Sequence, residues 1–233
     1  MEAVKLGTND MNSGTAAARK PAHGRNPNPI FFKKLDEEDR HGKVLLSCKG
    51  LWVEEGSVGP AFVFSVGNLF EKSASGCVLS IIETTVDENF RGVTLNGCGI
   101  NILGNATGVV HGTVASIEGT LDGVVTGVGI AVRGDVRGAL LGGFLAWAMG
   151  NVAGTVSGVI TEVDGCLRGF ALGLVNKARS FSGMRIGAVN VVSEPPAKGV
   201  QVDVGLVNIA LYADKLYERI VPLVAIRGPR KGT

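Results

Sequence analysis

Aromatic residues are scarce in this chain of 233 residues, at 6% of the total, and charged residues reach only 19%. A solvated charged helix needs more charge than that, and global disorder conflicts with a hydrophobic share of 45%. Proline is also sparse. None occurs between Pro60 and Pro195, as suits a continuous backbone ladder that can spare no N–H donor. Four cysteines, Cys48, Cys77, Cys98 and Cys166, are too few for a disulfide framework and show no CxxC pairing, so free buried thiols are expected. The net charge of +2 is too small and dispersed for a nucleic-acid footprint. Glycine is the residue in excess: there are 35, about twice the usual share of roughly 7%. It never recurs at every third position, which excludes collagen.

The opening MEAVKLGTNDMNSG lacks the basic segment and apolar run of a secretory signal, so a cytoplasmic location is the default expectation. Residues 1–30 carry no periodic apolar pattern and read as a flexible basic arm. LDEEDR at 35–40 reads as a solvated turn. Residues 31–91 contain the short apolar runs KVLLSCKGLWV, PAFVFSVGNLF and GCVLSIIETTV, which are expected to be strands of a non-repeating lead-in.

From Gly92 onward glycine keeps a beat of about 15 residues, at 92, 108, 123, 138, 154, 169, 183 and 199. A second glycine follows four places later in most units, as at Gly112, Gly127, Gly142, Gly158, Gly173 and Gly187. A fixed period of this kind marks units that bury their apolar face only by stacking on neighbours. The GxxxG spacing and the uncharged stretch 138–160 raise a rival, close-packed membrane helices. The same beat nevertheless runs through units carrying Glu118, Asp122, Arg133, Asp135 and Arg137, and recurrent Gly with abundant Val and Thr disfavours helix.

The fold class read from this pattern is an all-β repeat protein, a β-solenoid-like stack of Gly-punctuated units, with an antiparallel meander as the alternative. Aligned units give an inward file of Ala106, Leu121, Val136, Val152 and Leu167, and a second of Ile117, Val132, Trp147 and Val163. Glu118 aligns with Arg133, Asp122 with Arg137 and Asp164 with Arg179, all of opposite sign. In a parallel stack these pairs sit about 4.8 Å apart, and in a meander about 10 Å. Eight coils would make a rod of roughly 35–40 Å. Glycine is expected to supply positive φ at the reversals, and valine at Gly127 or Gly158 to disrupt stacking. The organisation expected is arm 1–30, lead-in 31–91, repeat 92–210, and a cap with basic tail at 211–233. Leu211, Leu216, Tyr217 and Ile220 give that cap near-helical spacing before Pro222.

The late units read GLVN, GAVN and GLVN, placing Asn176, Asn190 and Asn208 three residues after a glycine. With GINILGN at 99–105, this resembles the Gly-Asn surface-repeat family first described in Leptospira, whose units read approximately GVQIGLxN. The likeness spans residues 92 to about 210, and units 108–165 largely lack the Asn. It implies a repeat scaffold with surface or envelope association and no established activity. Read from chemistry alone, those asparagines are turn residues or a stacked amide ladder.

No catalytic, cofactor-binding or metal set emerges. His23, His41 and His111 stand apart, without HExxH, paired Cys or clustered carboxylates. His111 shares a column with Thr126, Leu141, Ser157, Leu172 and Ile186, a packing column. A Cys98/His111 nucleophile pair lacks a specified orienting residue, and GVGIAVRG at 127–134 fails the dinucleotide spacing. The expectation is a non-enzymatic scaffold without cofactor or small-molecule substrate. It would mediate protein–protein interaction or self-association, without nucleic acid. A membrane-associated or membrane-inserting β protein is the alternative.

Overall fold

The computed structural model describes residues 32–34, 44–47, 49–53, 57–196, 198–213 and 215–229. The arm 1–30, LDEEDR, His23, His41 and Cys48 lie outside the described residues. Strands make up 71% of the chain and helix 2%, so the helical reading of GxxxG is excluded.

In chain order the early strands are β1 Phe32–Lys34, β2 Val44–Leu46, β3 Gly50–Val53, β4 Val58–Ser65, β5 Asn68–Phe70, β6 Ala74–Ser80, β7 Glu83–Val86 and β8 Phe90–Asn96. The middle holds β9 Gly99–Ile102, β10 Ala106–His111, β11 Val114–Ile117, β12 Leu121–Val132, β13 Val136–Ala148 and β14 Val152–Ser157. Then come β15 Ile160–Leu172, β16 Val175–Ile186, β17 Val189–Val192, β18 Gln201–Ala210, α1 Leu216–Arg219 and β19 Ile220–Arg227.

These strands stack in two parallel columns. One runs β2, β4, β6, β8, β10 and on through the first halves of β12 and β13. The other runs β3, β5, β7, β9, β11 and on through the second halves of β12 and β13. The coils form a β-solenoid of about 10 turns, about 15 residues apart. The meander is thereby set aside. Because β6 pairs with β8 through Gly76↔Gly92, the ladder does not start at Gly92 but takes in the lead-in strands as further coils. At about 4.8 Å per coil the rod is about 48 Å long, longer than eight coils would give.

Four buried files fill the interior. Ala106, Leu121, Val136, Val152 and Leu167 are stacked partners and buried, as their spacing implied. Val110, Val125, Leu140 and Val156 form a second file. The third passes through Ala115, Ile130 and Ala146, and the fourth through Ile117, Val132, Ala148 and Val163. Ala148, not Trp147, occupies the fourth file. The coil beginning at Val136 carries one extra residue, taken up where the register shifts between Gly127 and Gly129, and this moves Trp147 outward. A fixed spacing cannot see such a bulge, since one added residue exchanges the two faces of a strand. The Trp147 Nε1 donates to Asp164 Oδ2 at 3.1 Å instead.

The charge test succeeds in part. Arg133 and Glu118 pair at 2.8 Å on the surface, and Asp122 lies opposite Arg137 in register. Asp164 and Arg179 do not make the expected pair: the register shifts between Val163 and Cys166, and Arg179 bonds Glu194 at 2.8 Å. Lys177 and Glu162 form a further pair one coil apart, whose hydrogen bond raises the Lys177 pKa above its usual range.

Positive φ falls on the first glycine file, Gly92 to Gly199 with Gly76 added upstream, and not on Gly127 or Gly158. At Gly123 φ is 146°, and a Cβ would overlap the carbonyl oxygen of Gly108 in the preceding coil. Only glycine satisfies both demands. The corner just before each coil is held by side chains: Asn89, Asn105, Asp135 and Asn151 each accept a backbone N–H from the next coil, at 2.7–3.0 Å.

At the C-terminal end β19 lies antiparallel along β18. The expected cap is mainly this strand; α1 has four residues, and Leu216, Tyr217 and Ile220 are exposed. Backbone pairing, more than an apolar helix face, closes the last coil.

Candidate functional site: an uncharged outer face

In an extended strand, residues flanking a buried position point outward. After each positive-φ glycine two such positions remain, and they stack into two outer files. The first includes Phe62, Val93, Val109, Phe170 and Met184, with Cys77, Val124, Ala139 and Thr155 between them. The second includes Phe64, Leu95, Leu141, Leu172 and Ile186, with Leu79, His111, Thr126 and Ser157 between them.

A third file stands on the neighbouring corner: Ile82, Cys98, Thr113, Val128, Phe144, Val159, Leu174 and Leu206. All of its aliphatic and aromatic members are exposed, Phe144 at 55% and Leu174 at 58%. Among the residues named in the three files only His111 can take a positive charge. The charged side chains are elsewhere on the coil, as at Glu118, Asp122, Arg133 and Arg137.

Three adjacent files over the eight or nine coils they occupy give a strip about 40 Å by 12–15 Å, or about 500–600 Å². Thr, Ser, Cys and His side chains interrupt it, so its apolar part lies within the range of the largest patch on a soluble monomer, about 300–600 Å², a patch that is often functional. The His111 column is a packing column, as its Leu and Ser members imply. It packs along the outside, with His111 Nδ1 2.6 Å from Thr126 Oγ1 one coil on. Cys98 is exposed at the corner, and Cys77 and Cys166 are half-buried, so the thiols are free but not sequestered. Among the described residues no group of three His, Cys, Asp or Glu is placed to hold a metal.

The asparagines Asn176, Asn190 and Asn208 all face inward, in the third buried file. Thr161 Oγ1 donates to Asn176 Oδ1 at 2.7 Å, Asn176 Nδ2 to Asn190 Oδ1 at 2.8 Å, and Asn190 Nδ2 to Asn208 Oδ1 at 2.7 Å. Asn176 also donates to Ile186 O and Asn190 to Val204 O, each the carbonyl just before a glycine of the next coil. The glycine is there for room: a Cβ on Gly187 or Gly205 would collide with the preceding coil's Asn amide. The Gly-x-x-Asn spacing is therefore a device for stacking a buried amide ladder, and these residues are structural.

The N-terminal coils carry a second buried polar run that spacing did not reveal. Ser65 donates to Asn68, Asn68 to Thr84, and Thr84 to Asn96, at 2.6–3.2 Å. The residues are Ser, Asn and Thr in mixed order, so no repeated letter announces them.

The comparisons add no relative. No protein-family model matches the chain, and neither the curated proteins nor the solved structures contain a match. Function therefore rests on the geometry.

Proposed function

We propose that the protein is a non-catalytic scaffold that self-associates side to side through the uncharged strip, one copy's strip covering another's. The observation that carries this reading is the absence of fixed charge among the described residues of three adjacent files from Phe62 to Leu206. The strip's length repeats every coil, about 4.8 Å, and a second copy presents the same repeat, so ridges of one can seat between ridges of the other. Two strips would bury about 1,000–1,200 Å², at the lower end of specific interfaces. Without charges there is little to orient a charged partner of another kind. The C-terminal end offers a poorer surface for stacking rods end to end, because β19 carries Pro222 and Leu223 has φ of 65°.

Sedimentation velocity on the full chain tests the proposal. The expected result is a dimer or larger species that becomes monomeric when Phe144→Lys and Leu172→Lys are combined. Both side chains are exposed, so the far-ultraviolet spectrum should not change. A wild-type monomer up to its solubility limit would overturn self-association. Quantitative co-flotation with liposomes, lost in the same double variant, would instead assign the strip to a membrane surface, in keeping with the surface placement that the Gly-Asn resemblance implies.

A further inference from the structure

The second buried file is apolar through Val156 and Ala171, then changes to Arg185 and Asp203. Both are fully buried, and Arg185 Nε bonds Asp203 Oδ1 at 2.7 Å. Arg227, from β19, bonds the other carboxylate oxygen at 2.9 Å. Gln201 Nε2 donates to that same oxygen. Two guanidinium groups thus share one carboxylate. Among the described residues one positive charge is left over, and an unbalanced charge away from solvent is expensive.

Unmet hydrogen-bonding capacity collects in the same place. Arg185 Nη2, Gln201 Oε1, Asn208 Nδ2 and the Tyr212 hydroxyl are buried without a partner. Buried groups of this kind are normally satisfied, and the Tyr212 hydroxyl is the one of the four whose residue lines a cavity. Beside them lies a cavity of about 460 Å³ lined by Tyr212, Tyr217, Val221, Ala225 and Arg227. Arg227 is only 12% exposed. Glu218 also lines the cavity, but it is solvent-exposed. Between Val221 and Val224 the backbone turns through Leu223 at φ 65°, a conformation costly for a branched side chain.

We infer that this cavity binds a small organic anion, with a carboxylate held by Arg227 and the Tyr212 hydroxyl and an apolar or aromatic body against Tyr217, Val221 and Ala225. The volume is in the range of small-molecule sites, about 300–1,000 Å³, and the lining has their usual make-up of apolar walls with a few convergent polar groups. The carboxylate offsets the surplus guanidinium charge and gives the Tyr212 hydroxyl its acceptor. The phenol is protonated at neutral pH and so can donate, and burial moves its pKa further up. This site is separate from the outer strip and does not depend on self-association.

The test uses the full chain with benzoate as the probe, and benzyl alcohol as a body of similar size without the charge. Binding is followed by ligand-detected NMR and by the shift in Tm. Saturable benzoate binding in roughly the millimolar range or tighter is expected, with benzyl alcohol about tenfold weaker. Tyr212→Phe removes one hydroxyl without opening the Asp203 cluster and should weaken benzoate by about fivefold or more. Arg227→Gln should weaken it further. Absence of saturable benzoate binding would overturn the inference, as would equal affinity for the alcohol or affinity unchanged in both variants.

Discussion

Asn176 donates its side-chain N–H to the side-chain oxygen of Asn190 at 2.8 Å, one coil along the rod and fully out of solvent. The link couples two coils, and the same amide also donates to the Ile186 carbonyl of the next coil at 3.0 Å.

Replacing Asn190 with Ala removes the acceptor of Asn176 and the donor to Asn208 and Val204 O. Orphaning buried polar groups costs about 1–3 kcal/mol each, so a loss of about 3 kcal/mol or more is expected. Stacked coils interact mainly with their neighbours, so the loss should be local. Amide hydrogen exchange should speed up in β17 and β18 and stay unchanged in β10 and β11; a uniform change would contradict the ladder's role.

Gly123 and Gly129 form a matched pair. A Cβ at Gly123 meets the Gly108 carbonyl at positive φ, whereas a Cβ at Gly129 meets nothing within 4 Å. Gly123→Ala should destabilise strongly, by several times the roughly 1 kcal/mol usual for a point change. Gly129→Ala should be neutral or slightly stabilising. Urea denaturation of both variants decides it, and similar midpoints would refute the close-approach argument.

Asp203 holds Arg185 and Arg227 together. Asp203→Ala leaves two guanidinium groups near each other without their carboxylate, which should cost about 3–5 kcal/mol. The cap strand β19 should then detach first, detectable as new proteolytic cleavage near Arg219 and Arg227. Unchanged cleavage kinetics would show that β19 is held by backbone pairing alone.

Burial raises the Tyr212 pKa above 10.0, outweighing the opposing pull of Arg227. The native state then holds the phenolic proton more tightly than the unfolded chain. This contribution is full below about pH 10 and is lost as pH rises through the native value. Tyr212→Phe should flatten the fall of stability with pH in that window. Parallel stability curves for wild type and variant would remove Tyr212 as the cause.

Glycine spacing made the repeat, the file of Ala106 and Leu121, and the Glu118–Arg133 pair legible before any coordinates. It misled at Trp147, where one added residue exchanges inside and outside, and at Asp164, where the next coil is one residue shorter and the register slips between Val163 and Cys166. Gly76 keeps the beat one coil before Gly92, and upstream of it Ala61 stands where a later coil has glycine, so the spacing ends there while the hydrogen-bond ladder continues through Ala61↔Gly76. The outer strip escaped notice for another reason: an apolar residue reads the same in sequence whether it faces the core or solvent.

The chain's own letters settle that coils form and how long each is, since glycine alone tolerates positive φ and the near contact of successive backbones. Which side chains meet is settled only when the coils stack. Residues about 15 places apart become neighbours there, and Arg185, Asp203 and Arg227 converge from three separate strands. Burial and electrostatics act through distances in space, and those distances are set by the register between coils.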